Sequence, residues 1–289
     1  MHITTNRKAW RWATVSNAVF KYLDYCDEFG ITKPVANLRI IARDSDGASS
    51  APMLRRTYGF FGFNSSNKVK DFFMNVGMAL PNHLINTVLS YARPDIIISA
   101  KASRGTAKVT EVTFHELAHA SHYRVVGNSY WLKYINYIIT YGAYGDGTGN
   151  NSGVCAVGEM WAYYFGYFLT LQEFGNNNPI IRPIALEDFT PINRPNTKDI
   201  RRPRDQTNRI FRMEGWIPVG IVHDLIDNNA DVIRPGFTDN VNGYTINQIF
   251  GALRPGVETI QGFRNRLLQN NGNHQQQAVN NLFEAYYYN

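Results

Sequence analysis

Residues 113–123 read Thr-Phe-His-Glu-Leu-Ala-His-Ala-Ser-His-Tyr. Within them His115, Glu116 and His119 form a His-Glu-x-x-His motif. On a helix, histidines four apart share a face roughly 6 Å apart along the axis, so both rings reach one tetrahedral ion. Zinc is the usual ion where imidazole and carboxylate meet. Glu116 is turned about 100° round the helix from His115, beside such an ion rather than on it. A carboxylate there can take a proton from water activated by the metal and pass it to a leaving amine. The bland alternative is a histidine pair that is solvated or satisfied in the core of an ordinary helix.

A third ligand must come from elsewhere. The longer motif with a third histidine on the same segment requires Gly at position 122 and His at 125. His122 and Val125 stand there, which excludes that class. His122 lies about 10 Å beyond His115 along the axis and is read as a polar neighbour of the site. Downstream candidates are Asp146, Glu159, Glu173 and His223. Glu159 is preferred, because it stands at the first turn of an otherwise apolar helix starting near Val157. A carboxylate there is costly to bury unless paired or bound to metal, and a helix N-terminus favours its charge. Asp146 lies in a Gly-rich loop.

The chain of 289 residues is 44% hydrophobic and 18% charged, enough to bury a full core and unlike a disordered protein. No run of about 18 apolar residues is present, so no transmembrane segment is expected. The net charge of +6 is scattered, except at Arg201, Arg202 and Arg204. That stretch reads as a solvated loop, and no nucleic-acid partner is expected. The opening MHITTNRKAW lacks the apolar stretch of a secretory signal. Low charge with abundant Asn, Tyr and Gly nonetheless points to a bacterial protein that is secreted, periplasmic or on the cell surface. Its signal and any surface anchor would then lie outside this sequence. Cys26 and Cys155 are compatible with one bridge or with two buried thiols.

The elements that must position the motif follow from periodicity and punctuation. Helices are expected at 9–29, 83–91, 110–126 and 157–174, with Gly30, Gly127 and Gly175 as stops. Strands are expected at 38–43 and 96–98. Residues 141–153 form a Gly/Asn-rich loop of the kind that borders functional sites. Residues 176–208 read as an irregular crossing. Helical segments are expected near 215–227, 244–253, 256–269 and 274–287, with a turn at Pro235-Gly236. The organisation is one catalytic domain in two lobes: an α/β lobe over 1–127 and a mostly helical lobe over 128–289.

His115-Glu116-Leu117-Ala118-His119, followed by Glu159-Met160-Trp161-Ala162-Tyr163-Tyr164, resembles the gluzincin branch of the zinc metallopeptidases. More narrowly, five stretches resemble zinc peptidase domains of secreted or lipid-anchored proteins of the Bacteroidetes type. These are the N-terminal helix, Leu38 to Arg43, Ala51 to Arg56, Pro94 to Ile98 and Val222 to Asp227. The resemblance implies an α+β, zincin-like fold with a small N-terminal sheet, and Glu159 as third ligand on a downstream helix. It also implies a Tyr or His that stabilises the oxyanion; His223, Tyr163 and Tyr164 are candidates. The Asn-Glu-x-x-Ser-Asp signature of thermolysin-like enzymes is absent, so their specificity is not implied.

The expectation is therefore a zinc-dependent peptidase acting on peptide or protein substrates. It would hold one zinc per chain on His115, His119 and Glu159, with Glu116 as base and His223 or Tyr163 assisting. The strand at Ile96–Ser99 or a neighbour would pair with extended substrate. The rival is a non-catalytic, zinc-containing surface module that binds protein or glycan; an intact Glu116 argues against it.

Overall fold

A computed structural model of the protein describes residues 7–59, 63–77, 93–142, 144–175, 216–230, 232–234 and 236–288. The helix expected at 83–91, the crossing at 176–208 and the arginines at 201–204 lie outside these residues.

The expected N-terminal helix is α1 (Arg7–Glu28), which buries Val15, Ala18, Tyr22 and Cys26 along one stripe. The two expected strands are β1 (Ile40–Arg43) and β2 (Ile96–Ser99), paired in parallel with Ile40 opposite Ile96 and Arg43 opposite Ser99. All four residues of β2 are buried, which suits the uninterrupted apolar run Ile96–Ile98. On its other edge, Ser50 makes an antiparallel bridge to Ile97. Between the strands lie two helices that the sequence reading did not contain, α2 (Leu54–Thr57) and α3 (Ser66–Asn75). Ser65 caps α3 by accepting the Lys68 N–H.

The motif helix, α4, spans Gly105–Tyr141 and is longer than expected at both ends. It is two helical arms. At Gly127 the backbone takes φ 75° and ψ −173°, a conformation that only glycine adopts readily. A straight helix would put Tyr134 about 22 Å from His119. Their ring centroids are instead 5.8 Å apart, so the second arm folds back beside the first. Gly127 ends the motif helix as expected, but the chain continues at once as a helical hairpin. The proposed lobe boundary at 127 falls on this turn.

Helix α5 (Ser152–Phe174) lies against both arms, with nearly every residue from Val154 to Thr170 buried. At Gly166 a Cβ would come 2.8–3.0 Å from the backbone N, Cα and Cβ of His115. That missing side chain lets α5 approach the motif directly. Around the crossing, the Tyr22 ring packs on Phe114 and Phe165, and its hydroxyl donates to Ser121 Oγ at 2.9 Å.

The remaining elements are α6 (Ile221–Ile226), a short antiparallel pair β3 (Val232–Arg234) and β4 (Phe237–Thr238), α7 (Ile246–Ala252), α8 (Ile260–Asn270) and α9 (Gln276–Ala285). These are the four expected helical segments, each shorter than its pattern. Of the turn read at Pro235-Gly236, Gly236 lies between β3 and β4 with φ 79°, and Pro235 lies outside the described residues. Helices with two small sheets place the chain in the α+β class. Among the described residues, no helix is long and apolar enough to cross a membrane. Cys26 and Cys155 are buried, unbridged thiols.

Candidate metal centre

The first arm of α4 presents His115 and His119, and α5 presents Glu159. Their donor atoms lie within 4.8 Å of one another. His115 Nε2 is 3.5 Å from Glu159 Oε2, and His119 Nε2 is 3.5 Å from Glu159 Oε1. Two donors held at about 2.0–2.1 Å on a tetrahedral ion would stand roughly 3.3–3.4 Å apart. The three side chains therefore form a group that can hold a metal ion at nearly its present dimensions. Glu159 is buried and its Oε2 accepts no hydrogen bond among the described residues. Such an orphan is costly unless a cation meets it.

Burial alone would raise the Glu159 carboxyl. The adjoining His119 and His115 rings outweigh it and hold Glu159 well below the usual carboxylate range. Burial pushes His119 down, toward the neutral imidazole a metal requires. Burial acts on His115 as well, but its contact with Glu159 and the nearby Glu116 charge outweigh it and raise that ring. The N-terminal charge argument for Glu159 does not hold, because α5 begins at Ser152 and Glu159 sits about two turns inside it. The histidines, not the helix terminus, keep the carboxylate charged.

Glu116 is 5% exposed and borders the same cavity as the three donors without belonging to the donor group. Burial pushes its carboxyl up to about 8, with His115 pulling the other way. The cavity has a volume of about 200 Å³. Residues 48–51, Phe72, Val76, Tyr134, Ile138 and Tyr144 complete its lining.

Two tyrosines border the cavity that the sequence reading did not single out. Tyr134, on the second arm of α4, donates its hydroxyl to Glu159 Oε1 at 2.5 Å. Burial and the Glu159 charge raise Tyr134 well above its ordinary value, so it stays a donor. Tyr144 comes from the Gly-rich loop, and its carbonyl accepts from Tyr137 Oη and Trp216 Nε1, both at 2.8 Å. Its hydroxyl is 2.8 Å from that of Tyr163. The signal for Tyr144 was its loop; for Tyr134 no local signal exists, because the turn at Gly127 brings it in.

The other candidates lie as follows. The Tyr163 ring packs edge-on against His115 at 4.7 Å and holds Tyr144 by its hydroxyl. Tyr164 stacks on Phe168. His223, on α6, is 6.4 Å from the Tyr164 ring and 3.6 Å from Asp227 Oδ2, and does not appear among the cavity's described lining residues. Asp146 Oδ1 accepts from the Thr148 N–H and hydroxyl within its own loop and is outside the donor group. Glu173 accepts from Tyr25 and pairs with Lys21 at 3.2 Å. His122 is fully buried beside Tyr130 and Trp131, and burial drives it down to about 3, a neutral ring behind the site.

The strand expected to pair with substrate is not free. Strand β2 is bonded by β1 on one edge and by Ser50 on the other. The outer edge of the Ser50 segment is one place further out, with Ser49 partly exposed and Ala51 buried. Ser50 exchanges both backbone bonds with Ile97 (3.0 and 2.9 Å), so alternation turns the N–H and C=O of Ser49 and the N–H of Ala51 the other way. These three groups have no partner among the described residues, and both residues border the cavity.

No protein-family model, curated protein or solved structure matches the chain.

Proposed function

We propose that the chain is a zinc-dependent peptidase with a zincin-type arrangement, using Glu116 as general base on peptide or protein substrates. One observation carries the reading: a carboxylate that is not needed as a ligand shares a cavity of about 200 Å³ with three side chains that can hold a metal ion. His115, His119 and Glu159 would hold one zinc. When bound, such an ion polarises a water molecule and a carbonyl. Glu116 then takes a proton on its carboxylate and delivers it to the departing amine. Tyr134 fixes the Glu159 carboxylate. The Tyr144 hydroxyl, held by Tyr163, is the donor best placed for a developing oxyanion, ahead of His223. The free backbone groups of Ser49 and Ala51 support an extended peptide as substrate, by strand addition. The gluzincin resemblance of the two metal segments agrees with this, and the composition supports secretion or a place at the bacterial cell surface or in the periplasm.

The test combines elemental analysis with peptide-library digestion of the parent and Glu116→Gln proteins. One zinc per chain is expected in both, with turnover in the variant lower by a factor on the order of 10²–10⁴. Loss of zinc from Glu116→Gln would make Glu116 a ligand and remove the mechanism. Zinc with no hydrolysis by the parent would favour the rival, a non-catalytic surface module binding protein or glycan.

A further inference from the structure

The Gly-rich loop that brings Tyr144 to the cavity is held by a residue outside the cavity's described lining, Trp216. The Trp216 ring is 1% exposed, and its Nε1 donates to the Tyr144 carbonyl at 2.8 Å. Tyr137 Oη donates to the same oxygen, so both of its lone pairs are used and the peptide cannot turn. Two residues on, the loop backbone rests against the indole. A Cβ at Gly147 would come 2.7–3.0 Å from Cδ2, Cε3 and Cγ of Trp216. Trp216 is itself fixed. Its carbonyl accepts from Tyr288 Oη at 2.6 Å, three residues beyond α9, and its ring packs edge-on against Tyr137. Close by in the chain, Tyr286 Oη donates to Asp224 Oδ2 on α6 at 2.5 Å. At the other end of Tyr144 the hydroxyl meets that of Tyr163, whose ring packs on His115. A continuous run of contacts therefore joins Tyr288, Trp216, Tyr144, Tyr163 and His115.

We propose that Trp216 is the positioning residue for Tyr144, fixing the loop backbone so that the Tyr144 hydroxyl stands at the cavity before reaction. This rests on the peptidase reading and adds a residue to it. Any buried indole N–H needs an acceptor. What singles this one out is the acceptor it has, the peptide that carries the site tyrosine, and the glycine beside the ring that lets the loop come so close. A loop with glycines at 142, 145, 147 and 149 has little of its own to hold a side chain in one place. A donor to an oxyanion must be in place beforehand, and a misplacement of about 1 Å can cost on the order of 10²-fold in rate. The oxyanion exists only in the transition state, so loss of the Trp216 bond falls on kcat rather than on KM. Tyr137 keeps its own bond to the carbonyl, so the loss is partial.

The experiment is a double-mutant cycle on peptide hydrolysis by the zinc-loaded full chain. Trp216→Phe deletes the N–H and keeps a ring; Tyr144→Phe deletes the hydroxyl. Tyr144→Phe should lower kcat by a factor on the order of 10². Trp216→Phe should lower kcat about three- to tenfold, the worth of one hydrogen bond, with KM within about twofold and zinc content unchanged. In the Tyr144→Phe background the same change should lower kcat less than about twofold, because its route of action is gone. A second readout needs no turnover. The Gly145 and Thr148 amides are bonded within the loop, to the Gly142 carbonyl and Asp146 Oδ1, and Trp216→Phe should speed their hydrogen exchange at least about threefold. A Trp216→Phe protein with unchanged kcat, or with an equal loss in both backgrounds, overturns the positioning role and leaves the peptidase reading standing. If the parent cuts no peptide, the peptidase reading falls and exchange alone decides whether Trp216 holds the Tyr144 loop; unchanged exchange overturns that as well.

Discussion

The hydroxyl of Tyr134 rests 2.5 Å from Glu159 Oε1, although the two residues sit on different helices and Tyr134 lies beyond the turn at Gly127. The carboxylate that completes the donor group is thus held by a neighbour that is not itself a ligand. Groups that orient metal ligands typically contribute a factor of 10–100 to metal affinity. Tyr134→Phe should weaken zinc binding by about that factor, measured by competition with a chelator. Far-ultraviolet dichroism should stay the same. Unchanged affinity would reduce the tyrosine to packing.

Removing Glu159 should remove more. Metal-binding free energy is partly folding free energy, and Glu159 joins α5 to α4 through the site. Glu159→Ala should lose the rise in melting temperature on adding zinc. Asp146→Ala should keep it, since Asp146 is engaged with Thr148 in its own loop. The reverse pattern would move the third ligand to the Gly-rich loop.

Gly127→Ala tests the hairpin. Nothing stands within 4 Å of the position a Cβ would take, so any effect comes from the backbone alone. Forcing alanine into φ 75°, ψ −173° costs on the order of 1–3 kcal/mol. At roughly 2–4 °C per kcal/mol for a large domain, melting should fall by several degrees. Zinc affinity should fall with it as Tyr134 moves off Glu159. An alanine variant as stable as the parent would show that the turn does not depend on glycine.

Alkaline pH should unfold the protein by way of its buried acids. Burial pushes the Cys26 thiol from 9.0 up to about 12, and burial with Glu173 nearby pushes Tyr25 from 10.0 to about 12. Both are raised in the folded state, so their contribution is complete below about 9 and is lost progressively as pH rises toward 12. The urea midpoint should decline from pH 9 upward, less steeply in Cys26→Ala. Native Cys26 should resist alkylation at pH 8. Rapid alkylation there, or a flat midpoint up to pH 11, would contradict this.

His115, Glu116 and His119 were legible because helical spacing alone puts them on or beside one face. Glu159 was legible because a lone carboxylate in an apolar run needs a partner. Tyr134 was not, since no element was expected between the stop at Gly127 and the loop at 141, and only the positive-φ glycine returns this segment to the motif. Helix α3 left a trace that periodicity could have caught: Val69, Phe72, Phe73 and Val76 at helical spacing behind a Ser65 cap. Its role in the cavity had none, because Asn75 Nδ2 donates to the carbonyls of Ile138 and Ile139, more than sixty positions away. The strand pairing was half legible. The run Ile96–Ile98 announces a buried strand, but nothing in it tells that Ser50 occupies its second edge.

His115, His119, Tyr134 and Glu159 all fall within residues 115–159, on one helical hairpin and the helix that follows it. The contact between His119 and Tyr134 closes a loop of only 15 positions, and short loops close early in folding. His115 to Glu159 spans 44 positions and Ile40 to Ile96 spans 56, a difference that loop closure puts at only about 0.2 kcal/mol. Two of the three donors and the tyrosine that holds the third therefore stand together once the hairpin forms, and an ion present during refolding would wait for α5 alone.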